Sequence, residues 1–144
     1  MPEISDVPLA ERSRRVNSVC DEVGVGNVIL VSIHVNAAGA DGKWHKATSW
    51  SAYTIPGITD LLVYDLYEAA KKYLVCQKIR PFNGTKEPDF ESNLYVLKHT
   101  KCPTVLTENM FQDCLSDVAF LRSHSGMEAI TLLHVEGICE YLAR

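Results

Sequence analysis

Val28-Ile29-Leu30-Val31-Ser32-Ile33-His34-Val35-Asn36 is the stretch that decides the fold. Residues 28–35 make a short, β-branched, nearly continuous apolar run. Such a run reads as a strand covered on both faces, the pattern of a parallel sheet. The composition then changes abruptly to Ala37-Ala38-Gly39-Ala40-Asp41-Gly42, a loop leaving a strand end. His34 stands at that end. In open parallel sheets ligand crevices lie beyond the carboxyl ends of the strands, so an ionisable residue here is a candidate for chemistry as well as for structure.

Before the run, Leu9, Val16 and Val19-Cys20 recur at helical spacing. Asp6 is placed to cap this helix, Pro8 suits its first turn, and Gly24-Val25-Gly26 should end it, since glycine tolerates the left-handed terminus. Beyond the run, the loop is expected to continue through Trp44, His45, Trp50 and Tyr53 to Pro56-Gly57. A second helix is expected over about 59–74, capped by Thr59, with Leu62, Leu66, Ala69, Ala70 and Tyr73 on one face. Residues 80–89, with Pro81, Asn83-Gly84 and Pro88, read as an exposed turn-rich segment. Short strands are expected at 94–97 and 103–107. Helices are expected at 113–121 and 126–142, the last with Ile130, Leu133, Gly137, Ile138 and Tyr141 on one face. Strands alternating with helices imply an α/β fold with a largely parallel, twisted sheet flanked by helices.

The chain has 144 residues, the size of one ordinary domain, and shows no repeat or long linker. Its formal charge of −4 lacks the basic face of a nucleic-acid binder; Arg12, Arg14 and Arg15 stand beside Glu11 and read as a solvated helix face. No apolar run approaches the ~18 residues needed to cross a bilayer. Met-Pro-Glu-Ile-Ser-Asp carries no visible export address, so synthesis in the cytoplasm is expected. The five cysteines, Cys20, Cys76, Cys102, Cys114 and Cys139, are odd in number and lie singly in mostly apolar stretches. They read as reduced core residues.

Two ionisable residues fall at the ends of expected strands: His34, and Glu108 directly after 103–107. Parallel strands would place both at one sheet edge, with side-chain tips within roughly 8 Å, the reach of a metal ligand and a base acting through one water. Each has a plainer reading. His34 can be a hydrogen-bonded structural histidine, and Glu108 can cap the turn after it. Asn36 suits either substrate contact or a turn. Trp44, Trp50 and Tyr53 are either a wall that receives sugar or peptide, or a cluster covering the sheet edge. His45 lies in a loop that can approach the crevice. His134 reads as packing or surface.

Ser32-Ile33-His34-Val35-Asn36-Ala37 resembles the strand-end metal motif of the zinc-dependent N-acetylmuramoyl-L-alanine amidases. Leu9 to Asn17 resembles the helix before that motif. Tyr95-Val96-Leu97 and Pro103-Thr104-Val105-Leu106-Thr107-Glu108-Asn109 resemble the stretch ending in the catalytic glutamate. Phe111 and Asp113 match the start of the family's next segment, and Gly137-Ile138 matches its closing helix, so the resemblance covers residues 6–142. It implies hydrolysis of the amide between N-acetylmuramic acid and L-alanine in peptidoglycan. It also implies zinc as cofactor with His34 as a ligand, Glu108 as general base and acid, and Asn36 near substrate.

The family places an earlier histidine and a glutamate upstream of the part matched here, and His45, His99, His124 and His134 do not match ligand positions. The resemblance therefore implies a single amidase-like catalytic domain over residues 1–144, incomplete at its N-terminus, with the first strand and helix missing. Its zinc site should be incomplete and its activity alone weak or absent. The edge of residues 28–35 should lie open to self-association or to an added segment. The alternative is a non-catalytic remnant that binds wall fragments or a protein partner. A nucleotide-binding module is disfavoured, because no phosphate-cradling Gly-rich loop comes after a strand.

Overall fold

The computed structural model describes residues 6–55, 60–80, 90–91 and 93–144, the pair 90–91 as backbone only. The elements run α1 (Leu9–Val23), a short 3-10 turn (Val25–Asn27), β1 (Leu30–Asn36), β2 (Trp50–Thr54), α2 (Asp60–Tyr73), β3 (Phe90–Glu91), α3 (Tyr95–His99), β4 (Thr104–Phe111), α4 (Leu115–Arg122) and α5 (His124–Leu142). The sheet order is β1-β4-β2-β3. β4 is parallel to β1 and antiparallel to β2, while β2 and β3 are parallel. The sheet is thus mixed rather than uniformly parallel, because the chain passes from β1 to β2 without a crossover helix and β2 runs in the reverse direction.

Side chains alternate across β4 and divide the molecule into layers. Val105 joins Trp50, Ala52, Leu62, Leu66, Ala70 and Leu133 in the main core, against α2 and α5. Leu106 points the other way and packs with Val96 and Leu97 of α3, and α1 lies beside α3 on this second face. The positive φ of Gly24 ends α1, and its N–H bonds to the Cys20 carbonyl as the terminal turn closes. Asp6 does not cap α1. The capping position is Pro8, which has no side-chain acceptor, and Asp6 is held by the Arg12 guanidinium instead. Thr59 as a cap and residues 81–89 as a turn lie outside the described residues.

Four expectations are corrected. Residues 94–97 are not a strand. Tyr95–His99 is a short helix whose Val96 carbonyl accepts from the Thr100 hydroxyl at 2.6 Å and whose Tyr95 carbonyl lies 2.9 Å from the His99 ring Nδ1. A run of four apolar residues fits either form until its neighbours are known. Trp50–Thr54 is not loop but a strand, central in the sheet. Trp50 is 0% exposed and its ring N–H donates to Asn109 Oδ1 at 2.9 Å, so it is core and not a wall of the crevice. β4 runs on to Phe111, which puts Glu108 inside the strand rather than after it. Finally, β1 is not covered on both faces. It is the terminal strand in the sheet order, and Ile33 is 57% exposed on its outer part. Of the cysteines, Cys20, Cys102 and Cys114 are buried as expected, but Cys76 and Cys139 are exposed.

Candidate active site

His34 and Glu108 are direct partners in the parallel β1/β4 ladder, where neighbouring strands lie ~4.8 Å apart. Paired residues on parallel strands point to the same face. Both therefore line one groove of about 280 Å³ between the sheet, α1 and α3. Its walls are mainly apolar, from Leu9, Val16, Leu30, Val96 and Leu106, and its polar lining includes Ser13 and Ser32. Arg12 also reaches the groove, but its guanidinium is directed to the Val7 carbonyl (2.8 Å) and Asp6.

The two site residues differ in environment. His34 is exposed, and its Nε2 lies 3.1 Å from the Ser32 hydroxyl, two residues earlier on the same strand face. Glu108 is half-buried. Its Oε2 is enclosed and has no hydrogen-bond partner. Burial of the carboxylate raises its pKa above the usual value of 4.5. An unpartnered carboxylate oxygen on the strand next to an imidazole is suited to taking a proton from a bound water.

The strand bearing Glu108 changes register immediately afterward. His34 pairs with Glu108, but Asn36 pairs with Phe111, so β4 carries one extra residue there. Met110 has φ +64°, the left-handed conformation that lets the bulge close. Asn109 holds this irregularity together. Its Nδ2 donates to the His34 carbonyl (2.9 Å) and lies 3.1 Å from Thr107 Oγ1, while its Oδ1 accepts from Trp50. The Thr107 hydroxyl lies 2.9 Å from His134 Nε2, and His134 Nδ1 lies 2.7 Å from the Ile130 carbonyl. With Nδ1–H donating to that carbonyl, Nε2 is left to accept from Thr107. Burial lowers the His134 pKa below its usual 6.5, consistent with this neutral role.

Sequence reasoning placed His134 in packing but missed Asn109, whose only signal is its position beside Glu108. Asn109→Ala strands the Trp50 ring N–H in a dry interior and removes the donor to the part-buried His34 carbonyl. It is expected to cost about 3 kcal/mol in urea unfolding; a loss below about 1 kcal/mol would show that water replaces the amide.

The other named residues are placed elsewhere. Asn36 does not line the groove; its Oδ1 accepts from the Ala37 N–H at 2.8 Å, and its carbonyl accepts from Gln112 N–H. His45 is turned to Asp41 (2.9 Å), in a loop that Asp113 clamps through the Ala38 and Gly39 N–H groups (2.8 and 3.0 Å). Trp44 is exposed. His34 and Glu108 have the donor types that a zinc ion takes, but a catalytic zinc uses three protein ligands. Among the described residues no group of three His, Cys, Asp or Glu is arranged to hold a metal. These residues alone do not fit a resident zinc.

An α/β sheet presenting an imidazole and a desolvated carboxylate from adjacent parallel strands defines the class to which the chain belongs. The comparisons narrow it: the family model described as N-acetylmuramoyl-L-alanine amidase matches residues 2–140, and the chain belongs to that family. It is 31% identical over 137 residues to the endolysin of Bacillus phage SPP1, covering 93% of this chain and 45% of the endolysin. The chain thus spans less than half the length of that relative.

Among solved structures it is similar to the catalytic domain of CwlV, an N-acetylmuramoyl-L-alanine amidase from Bacillus (Paenibacillus) polymyxa var. colistinus. The TM-score is 0.74 at 18% identity, over 96% of this chain and 68% of that one. It is also similar to the N-acetylmuramoyl-L-alanine amidase of Clostridium difficile 630, with a TM-score of 0.71 at 22% identity, over 96% and 67%. At these identities the likeness is one of fold. No helix among the described residues is long and apolar enough to cross a membrane.

Proposed function

We propose that this chain carries the His34–Glu108 part of an amidase centre that cleaves the bond between N-acetylmuramic acid and L-alanine in peptidoglycan, acting at the cell wall. The observation that carries the reading is the register pairing of His34 with Glu108, whose buried Oε2 has no partner. In its ionised form Glu108 takes a proton from a water. The water oxygen adds to the lactyl carbonyl carbon, the carbon–nitrogen bond breaks, and the proton passes to the departing alanine nitrogen. Asn36 lies outside the groove and braces the strand exit, its side-chain oxygen accepting from the Ala37 N–H. His34 is proposed as a zinc ligand of the family's centre, whose remaining ligands come from outside the described residues.

The outer edge of β1 is the place we propose for a completing strand. Among the described residues β1 ends the sheet, and Ile33 and Val35 beside it are exposed. An open edge of this kind pairs either with an added segment or with another copy of the chain.

A second reading, a non-catalytic remnant that binds wall fragments or a protein partner, is favoured by the shortage of metal-binding groups among the described residues. Metal analysis and a muropeptide assay separate the two. Each is run on the purified chain alone and on the chain with a polypeptide supplying the family's preceding strand and helix. We expect substoichiometric zinc and no turnover alone, since affinity comes from several ligands fixed together. Stoichiometric zinc and turnover should appear on completion. Full turnover from the monomer would mean that other residues of the chain complete the site, and zinc without turnover in the completed protein would favour the remnant.

A further inference from the structure

The C-terminal half of α1 lies against the segment that leads into β4. Asn17 donates from Nδ2 to the His99 carbonyl and accepts at Oδ1 from the Lys101 N–H, each at 2.8 Å. One turn later Asp21 takes the Lys101 ammonium at 2.5 Å. Cys20 lies three residues after Asn17, so it shares this face of the helix. Cys102 comes directly after Lys101. Both cysteines are free, and they are 1% and 5% exposed. The Cys102 and Cys20 thiols are hydrogen-bond neighbours; burial, and then that bond, push the Cys102 thiol up to about 11. The other three cysteines have different surroundings. Cys76 and Cys139 are exposed, and the Cys114 sulfur lies 3.2 Å from the Ser116 hydroxyl.

We propose that Cys20 and Cys102 are a cross-linking site, joined by a disulfide when the chain folds in oxidising surroundings. The oxidant is a small-molecule disulfide such as oxidised glutathione. One cysteine thiolate attacks it and expels one reduced thiolate, leaving a mixed disulfide on the protein. The second cysteine thiolate attacks the protein-bound sulfur and expels the other. Two protein S–H bonds are lost and one protein S–S bond forms, while the external S–S bond breaks and its two expelled thiolates take up the two protons through solvent, becoming two thiols.

In the folded protein both thiols are shielded and that of Cys102 is held protonated, which slows attack. The bond therefore forms during folding or transient opening, and is afterwards hidden from reductants. Its structural effect is specific: α1 supplies Leu9, Arg12, Ser13 and Val16 to the groove, and β4 supplies Glu108. The cross-link ties one wall of the groove covalently to the strand that carries its carboxylate.

The test uses the full chain with Cys76→Ser and Cys139→Ser, unfolded in reductant and refolded in a glutathione redox buffer. Peptide mapping should find Cys20 joined to Cys102, with a mass lower by two hydrogens. The oxidised protein should melt about 10 °C above the reduced one, as expected for a bond closing a long loop. Cys20→Ala and Cys102→Ser should each abolish both the mass change and the shift. If both thiols remain open to alkylation in denaturant after oxidative refolding, or either is found bonded to Cys114, the proposal fails. The mapping needs no variant of the pair itself, so a poorly folding Cys20→Ala does not blunt it.

Discussion

Glu108→Gln in the completed, zinc-loaded enzyme is expected to lower kcat by about three orders of magnitude while leaving metal content unchanged. The carboxamide keeps the shape of the side chain but cannot take a proton. The metal is held by other groups, so metal lost in step with activity would show Glu108 to be a ligand instead. A separate readout comes from stability. Burial raises the folded pKa of Glu108, so the folded state binds the proton more tightly than the unfolded chain. Stability is therefore greatest below the ordinary carboxylate range, falls as pH rises through the folded pKa, and stays reduced above it. Gln carries no charge and lacks this deficit. The variant should melt higher than the parent at neutral pH, with the gap closing as the pH falls below about 4. An identical melting profile for the two proteins at every pH would mean that the carboxylate is solvated and not a poised base.

Gly126→Ala is expected to be the most damaging single methyl in the described chain, at about 3 kcal/mol or more, measured by urea or guanidinium unfolding. α4 and α5 are joined through Ser123 alone, which caps α5 by accepting the Gly126 N–H at 3.0 Å while its own N–H bonds to the Phe120 carbonyl. This elbow presses the backbone of α4 onto Gly126. A Cβ there would sit 1.9 Å from the Phe120 carbonyl oxygen and 2.7 Å from its carbon, and backbone atoms cannot swing aside as a flexible side chain does. Relief requires opening the elbow, which pulls Leu133 and its neighbours from α2, in a protein whose whole stability is of order 10 kcal/mol. A loss under about 1 kcal/mol would show that the elbow relaxes without disturbing that core.

Local signals read α1, α2 and α5 well, because their apolar positions repeat at helical spacing and the faces they bury are set by the repeat. They failed at β2. Trp50-Ser51-Ala52-Tyr53-Thr54 has small polar residues and no long apolar run, and it becomes a strand only because β4 and β3 lie on either side of it. They failed again at 94–97, where four apolar residues fit two conformations and burial against Leu106 and Ile55 selected the helix. At the candidate site the motif around His34 and Glu108 was legible. Asn109, the bulge at Met110 and the orphaned oxygen of Glu108 were not, because each depends on a partner far away in the chain.

The sequence by itself determined which residues are apolar, where the helices begin to repeat, and which two ionisable side chains fall at or just beyond strand ends within a recognisable motif. These are local properties, set by side-chain chemistry and by periods of 3.6 and 2. Tertiary structure alone decided that His34 and Glu108 share a register pair, that β1 stands at an open edge, and that Cys20 meets Cys102. Those facts arise from pairings between distant segments. Such pairings form because burial and hydrogen-bond satisfaction are optimised over the whole chain at once, and no local pattern encodes which distant strand will lie alongside.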